Sequence, residues 1–199
     1  MGTIMARKVA KTTDAPNKWK TWRFWRNLVL LFVVGSWIGH MIEFTCAGLK
    51  ALLFGPEAWG YIPKTIFWLA EPYGIGAVLL VLLVKPLMKK LGWVRVYILS
   101  VIVTTFSEFI CALGINIVSG SNSVWDYSSR PINLWGMVCL SNSLLFGACA
   151  VVFLYWVLPW MESMEKKVGQ VILNVLFGIS AVGYPIYAVW KFITTLSPG

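Results

Sequence analysis

The chain has 199 residues, of which 58% are hydrophobic and only 13% are charged, and its mean hydropathy is +0.73. Soluble domains carry about a quarter charged residues, so this composition excludes an ordinary water-soluble fold. The formal net charge of +9 would suit a nucleic-acid-binding protein, but the position of the basic residues argues against that class.

Residues 1–26 form a basic segment that precedes the first apolar run. Its basic residues are Arg7, Lys8, Lys11, Lys18, Lys20, Arg23 and Arg26. Such a segment beside a membrane span is typical of a topology signal that also binds anionic lipid, so we expect membrane lipids and no nucleic acid as partners. Trp19, Trp22 and Trp25 favour a cytoplasmic or interfacial helix at the headgroups. The segment has no apolar core or cleavage site of a signal peptide, so we expect the first span to be retained.

Five apolar windows follow, each long enough to supply the ~20 residues that cross roughly 30 Å of hydrocarbon. They cover residues 27–53, 66–88, 94–118, 135–160 and 169–194. The sequence therefore predicts an all-α fold, a polytopic membrane helix bundle with about five transmembrane helices, forming one domain over residues 27–199. With the N-terminus inside, 13 basic residues fall on inner segments and 4 on outer segments. This bias predicts a multi-pass cell-membrane protein with a cytoplasmic N-terminus and an external C-terminus.

Small and polar residues recur at helical spacing in three of the windows, so we expect these stripes to face the interior of the bundle. In the first window they are Gly35, Ser36, Gly39, His40, Glu43 and Ala47; in the fourth, Gly136, Cys139, Leu140, Ser143 and Gly147; in the fifth, Asn174, Gly178, Ala181 and Pro185. Gly35 and Gly39 also form a GxxxG pattern, which allows close helix packing.

Three glutamates, Glu43, Glu71 and Glu108, lie within or at the edges of predicted spans. A carboxylate in the membrane costs several kcal/mol, so each needs a partner, a water-filled cavity or a proton. At a rise of about 1.5 Å per residue, Glu43 and Glu108 lie roughly 22 and 18 Å above the inner boundary, and Glu71 about 8 Å below the outer one. All three are expected in the outer half of the bilayer.

The external segment Trp125–Asn133 adds an acid, a base and two aromatic residues. Asp126 and Arg130 can pair with each other, or Arg130 can reach an intramembrane glutamate. The segment Glu71–Gly76 combines a carboxylate, a proline and two glycines, which is typical of an interrupted helix that lines a cavity. We therefore predict one outward-opening polar pocket that binds a small molecule. Its candidate residues are Glu43, Glu108, Asp126, Arg130, His40, Glu71, Trp125, Tyr127 and Asn133.

The alternative is that these groups are structural and only hold the helices together. His40 is the only histidine, and the four cysteines form neither a CxxC pair nor a Cys/His cluster, so we expect no metal and no cofactor. The chain contains no GxxxxGK[ST], HExxH or GxSxG pattern, so no catalytic residue is predicted.

Four segments carry a family resemblance that covers roughly residues 28–162. They are Trp125–Ser128 with its continuation Arg130–Gly147, Gly35–Glu43, Pro72–Ala77 and Thr105–Phe109. Together they resemble a bacterial membrane family labelled "putative ABC-transporter permease, type IV" (CmpB-like proteins). The resemblance implies a multi-pass membrane protein acting in transport, with an ATPase or other membrane subunit on a separate chain.

The chain departs from the family pattern at three places. His40 stands where the family commonly has tryptophan, Met137 replaces an arginine, and Trp68–Glu71 replaces a stretch that contains another arginine. The resemblance thus implies a divergent member whose site has lost two cations and gained Glu71.

The sequence is compatible with three functions. The first is a small transport or substrate-binding component, the second a non-catalytic scaffold or accessory subunit, and the third a membrane-embedded enzyme acting on a lipid or isoprenoid. Only the first two have support from the sequence.

Overall fold

A computed structural model describes residues 21–60, 63, 65–66, 68–119 and 125–196. The expectations placed on residues 1–20, which include Trp19 and five of the tail's basic residues, lie outside the described residues.

The described chain is built from helices that form five rods. Their bounds are α1 Trp22–Phe54, α2 Glu71–Leu79, α3 Trp93–Ser119, α4 Leu140–Val152, α5 Leu158–Lys167 and α6 Gln170–Leu196. Alpha helix α2 runs on through a π turn, Leu80–Val84, and a 3-10 turn, Lys85–Leu87, while a π turn at Phe153–Val157 joins α4 to α5. A short 3-10 turn, Pro56–Trp59, follows α1.

Four of the rods in the described part of the chain are long and apolar enough to cross a membrane. The predicted all-α polytopic membrane fold is therefore confirmed, and the protein is a multi-pass membrane protein. The rod that begins with α2 is the short one. It starts at Glu71 rather than near residue 66, because the described residues from 65 to 70 are not helical.

Both π turns lie just ahead of a proline. Pro86 and Pro159 lack a backbone N–H, and a proline ring clashes with the carbonyl four residues earlier. Those carbonyls belong to Leu82 and Tyr155, which lie inside the two π turns. The wider turns thus accommodate the prolines without ending the rods.

Glycines allow the closest helix contacts. A methyl group at Gly74 of α2 would collide with Ser36 Oγ and the Phe32 carbonyl oxygen of α1, and one at Gly147 of α4 would collide with Val101 of α3. The close packing predicted from Gly35 and Gly39 is present, because both face α2. Gly74 and Gly76 therefore lie in regular helix at this contact and do not interrupt α2, contrary to the expectation for Glu71–Gly76.

An apolar core lies between the rod that begins with α2, helix α3 and the rod formed by α4 and α5. Its buried members are Leu80, Val84, Val96, Val103, Ala150, Leu154 and Leu158. Helix α3 also packs along α2, where Ser107, the residue before Glu108, faces Gly76.

Alpha helix α6 packs on α1 at the edge of the bundle. The expectation that Gly178, Ala181 and Pro185 face the interior is wrong, since all three are exposed. Because lipid is as apolar as leucine, a peripheral helix in a membrane has no need to bury these positions.

Polar contacts tie α6 to the bundle near its first turn. Arg26 of α1 is 1% exposed, and its Nη1 donates to Gln170 Oε1 at 3.0 Å and to Asn174 Oδ1 at 2.9 Å. Its Nη2 lies 3.5 Å from Glu165 Oε1 of α5. The sequence assigned Arg26 to the interfacial tail, whereas in the structure it is a buried link between three helices.

Candidate functional site

A β-hairpin covers the end of the bundle that carries Glu108. Strand β1, Asn133–Leu134, pairs antiparallel with β2, Val138–Cys139, so that Asn133 lies opposite Cys139. The turn has positive φ at Trp135 and Gly136, and so does Ile132 just before β1, a conformation that only glycine adopts freely. The chain before β1 folds back on this turn, because Tyr127 N donates to the Gly136 carbonyl oxygen at 2.8 Å.

Trp125 is fixed to the same hairpin. Its indole Nε1 donates to the Met137 carbonyl oxygen at 2.9 Å, and its side chain is only partly exposed. Trp125 therefore holds the segment that carries Tyr127 against the buried strand β2.

Asp126, Arg130 and Asn133 shape the hairpin and do not reach the intramembrane glutamates. Asp126 Oδ1 accepts hydrogen bonds from Ser128 Oγ at 2.6 Å and Ser128 N at 2.8 Å, which hold the pKa of Asp126 below its usual value. Asn133 Nδ2 donates to the Arg130 carbonyl oxygen at 2.8 Å. Within the described residues the Arg130 guanidinium is exposed and forms no ion pair with Asp126.

Tyr127 brings the hairpin to Glu108. Its hydroxyl donates to Glu108 Oε1 at 3.1 Å. Burial of the phenol, and after it the nearby Glu108 carboxylate, raise the pKa of Tyr127 above its ordinary value. Asn142, near the start of α4, hydrogen-bonds the same hydroxyl.

Glu108 itself is deeply enclosed. The residue is 7% exposed, and its second carboxylate oxygen, Oε2, has no hydrogen-bond partner among the described residues. The buried hydroxyls of Ser36, Ser100, Thr105 and Ser107 also lack a partner among the described residues, but Glu108 is the ionisable group in this set. A buried polar atom without a partner points to an unseen water, ion or ligand.

A second carboxylate–phenol pair lies between α1 and α2. The Tyr73 hydroxyl donates to Glu43 Oε1 at 2.8 Å. Tyr73 also lies within electrostatic range of Glu108 and Tyr127, so the two pairs belong to one polar cluster. We call Glu43, Tyr73, Glu108 and Tyr127 the acidic cluster.

His40 and Glu71 have other partners. His40 is 1% exposed, and its Nε2 lies 2.7 Å from the Thr65 carbonyl oxygen, although its ring remains in electrostatic range of Glu43. Glu71 Oε2 forms an ion pair with Lys191 Nζ of α6 at 2.5 Å. The Lys191 ammonium also donates to the Leu69 carbonyl oxygen and lies 4.6 Å from the centre of the Trp68 ring.

The glutamates of the helical rods thus fall into two groups. Three have a lysine or arginine partner: Glu71 with Lys191, Glu162 with Lys85, and Glu165 with Arg26. Glu43 and Glu108 accept hydrogen bonds from phenols, and within the described part of the chain neither forms an ion pair. No group of three residues suited to bind a metal ion occurs among the described residues.

Of the nine predicted site residues, Glu43 and Glu108 join the acidic cluster together with Tyr127. Trp125, Asp126, Arg130 and Asn133 build the hairpin above it, while His40 and Glu71 hold the chain between α1 and α2. Sequence reasoning did not single out Tyr73, Asn142 or Lys191 as site residues. Tyr73 lies between a proline and a glycine, which draws attention to this segment of the sequence. The sequence does not indicate that the Tyr73 hydroxyl points toward Glu43.

Comparison with known protein families gives a match over most of the chain. A family model described as "Putative ABC-transporter type IV" covers residues 30–192, which confirms the resemblance and extends it through most of α6. No curated protein and no solved structure matches the chain.

Proposed function

The chain belongs to the putative ABC-transporter type IV family, and from this premise we propose that it is a small transport or substrate-binding component of the cell membrane. Its binding site is the acidic cluster beneath the hairpin. Membership in the family and the apolar helices make the protein a membrane protein related to transport; the site is our proposal.

The observation that carries the proposal is the free Oε2 atom of Glu108. It belongs to a residue that is 93% buried, and no described residue satisfies it. A purely structural carboxylate is expected to have both oxygens paired, because an unsatisfied buried polar atom costs about 1–3 kcal/mol. Glu71, by comparison, has an ion pair that neutralises it.

The orientation predicted from the basic residues places this cluster in the outer half of the bilayer. The hairpin then faces the exterior, so the site opens outward, and the N-terminus lies in the cytoplasm. An ATPase on a separate chain, which the family name implies, would act from the cytoplasmic side.

Native mass spectrometry of gently solubilised protein tests the proposal. We expect a bound small molecule in the wild type that is lost in Glu108→Gln and Glu43→Gln. Glu57→Gln is the matched control, because it removes the same charge from an exposed carboxylate on the turn after α1. Folded Glu108→Gln and Glu43→Gln variants that retain the ligand would refute the location of the site.

A second candidate function is a scaffold or accessory subunit whose polar groups only join helices. The specific observation in its favour is that each ion pair and each carboxylate–phenol pair connects separate elements of the bundle. This function predicts that Glu108→Gln and Glu43→Gln lower thermal stability while the wild type carries no ligand.

A further inference from the structure

We infer that the ligand of the acidic cluster is a protonated primary amine whose ammonium group donates to Glu108 Oε2. This inference rests on the proposed function and names the chemical class of its substrate. It follows from the charge of the cluster, from the type of atom left unpaired and from the rings beside it.

The charge of the cluster favours a cation over an anion. Glu43 and Glu108 are the two glutamates of the described helical rods that lack a lysine or arginine partner. Phenol hydroxyls donate one hydrogen bond each but bring no positive charge. An enclosed carboxylate without a counter-charge is costly, so a bound cation stabilises this arrangement where an anion would oppose it.

A proton on Glu108 would neutralise the carboxylate but would still leave Oε2 without a hydrogen-bond partner among the described residues. A protonated carboxyl would place an O–H at Oε2. That O–H would lack a hydrogen-bond acceptor among the described residues, just as the bare oxygen lacks a donor. A ligand that supplies its own donor satisfies the atom and the charge together.

The unpaired atom selects a donor of the ammonium type. Oε1 of Glu108 is already occupied by Tyr127, so the ligand has to bring its hydrogen-bond donor to Oε2. A charge-assisted N–H to carboxylate bond is roughly twice as strong as a neutral one. A divalent metal would need a larger set of ligands than the two carboxylates, and no such set occurs in the described part of the chain.

The aromatic neighbours favour an organic cation. The Tyr73 ring packs edge-on against Phe146 of α4, with 6.0 Å between the ring centroids. Aromatic faces attract ammonium groups, and their apolar edges suit a short alkyl chain.

Three matched probes test the inference on purified wild-type protein in lipid nanodiscs. Butylammonium carries the charge and the N–H donors, butyltrimethylammonium carries the charge alone, and pentanoate carries the opposite charge. Binding is measured as the saturable rise in the thermal unfolding midpoint at constant ionic strength. We expect butylammonium to bind at least tenfold more tightly than butyltrimethylammonium, and pentanoate not to bind.

Variants locate the amine. Glu108→Gln is expected to weaken butylammonium at least tenfold, whereas Glu57→Gln leaves it unchanged. If Glu108→Gln fails to fold, the comparison of butylammonium with butyltrimethylammonium on the wild type still decides the matter.

The two proposals fail separately. The inference of an amine ligand is overturned by any of three results: equal binding of the two cations, preferred binding of pentanoate, or no binding of any probe. If native mass spectrometry nevertheless finds a neutral or anionic molecule that Glu108→Gln abolishes, the proposed site stands and only its ligand class is wrong. If it finds no ligand in the wild type, the proposed function fails as well.

Discussion

Lys191 Nζ lies 2.5 Å from Glu71 Oε2 and thereby ties the last helix to the first residue of α2. The same ammonium donates to the Leu69 carbonyl oxygen at 2.8 Å, so it also supplies a hydrogen bond to the backbone just before α2. Tyr187, one turn earlier on α6, accepts a hydrogen bond from Leu69 N at 2.9 Å. This contact and the Arg26 cluster hold the two ends of a helix that is otherwise nearly unburied.

Replacing Lys191 by Met should therefore weaken the attachment of α6. Both partners are less than a quarter exposed, at 21% and 23%, so we expect a loss of about 1–3 kcal/mol in the free energy of unfolding. Chemical denaturation in mild detergent measures it. Lys167→Met removes an exposed lysine at the end of α5 and should have little effect. Equal stability of the two variants would contradict the importance of this ion pair.

Replacing Arg26 by Met should destabilise the other end of α6. The change leaves Gln170, Asn174 and Glu165 without their shared donor, and loss of one member of a buried ionic cluster costs about 3 kcal/mol. The thermal unfolding midpoint is the measurement. The neighbouring Arg23 is exposed, so Arg23→Met is the control, and a similar fall in both variants would show that charge near the lipid matters more than the cluster.

Gly74→Ala should disturb the close packing of α2 against α1 and lower the stability of the protein. The added methyl group would meet Ser36 Oγ and the Phe32 carbonyl oxygen, and overpacking of this kind costs about 1–3 kcal/mol. Gly114→Ala is the matched control, because nothing lies within 4 Å of its added methyl group and alanine favours helix. Denaturation should show a destabilised Gly74→Ala and a Gly114→Ala at least as stable as the wild type.

Cysteine labelling tests the orientation. In a background without the four native cysteines, Ser128→Cys places a thiol on the exposed hairpin and Ser163→Cys places one on α5. With the N-terminus inside, a membrane-impermeant maleimide should label Ser128→Cys in intact cells and Ser163→Cys only after permeabilisation. The reverse pattern would invert the topology and place the acidic cluster in the inner half of the bilayer.

The fold was largely predictable because membrane spans depend on local composition. Apolar length alone located α1, α3 and α6 to within about five residues, and it located the rod from α4 to α5 less closely at its ends. The window at residues 66–88 was predicted too long, because an apolar sequence does not reveal that Thr65 and Ala70 bond to α1 in non-helical backbone.

The site was predictable only in part. The cost of a carboxylate in lipid identified Glu43 and Glu108 without any knowledge of their neighbours. The same reasoning treated Glu71 as equivalent to them. Its ion pair with Lys191 joins positions 120 residues apart, and spacing along the chain gives no sign of such a contact.

The sequence by itself therefore determined that the protein is embedded in a membrane and which acidic groups are costly there. Both conclusions depend on the free energy of transferring side chains from water to lipid. Tertiary structure alone decided which glutamates have a counter-charge. It pairs Glu71 with Lys191 and directs Tyr73 and Tyr127 toward Glu43 and Glu108. The physical reason is that hydrogen bonds and ion pairs act over a few ångströms, and only the packing of the helices brings distant residues within that range.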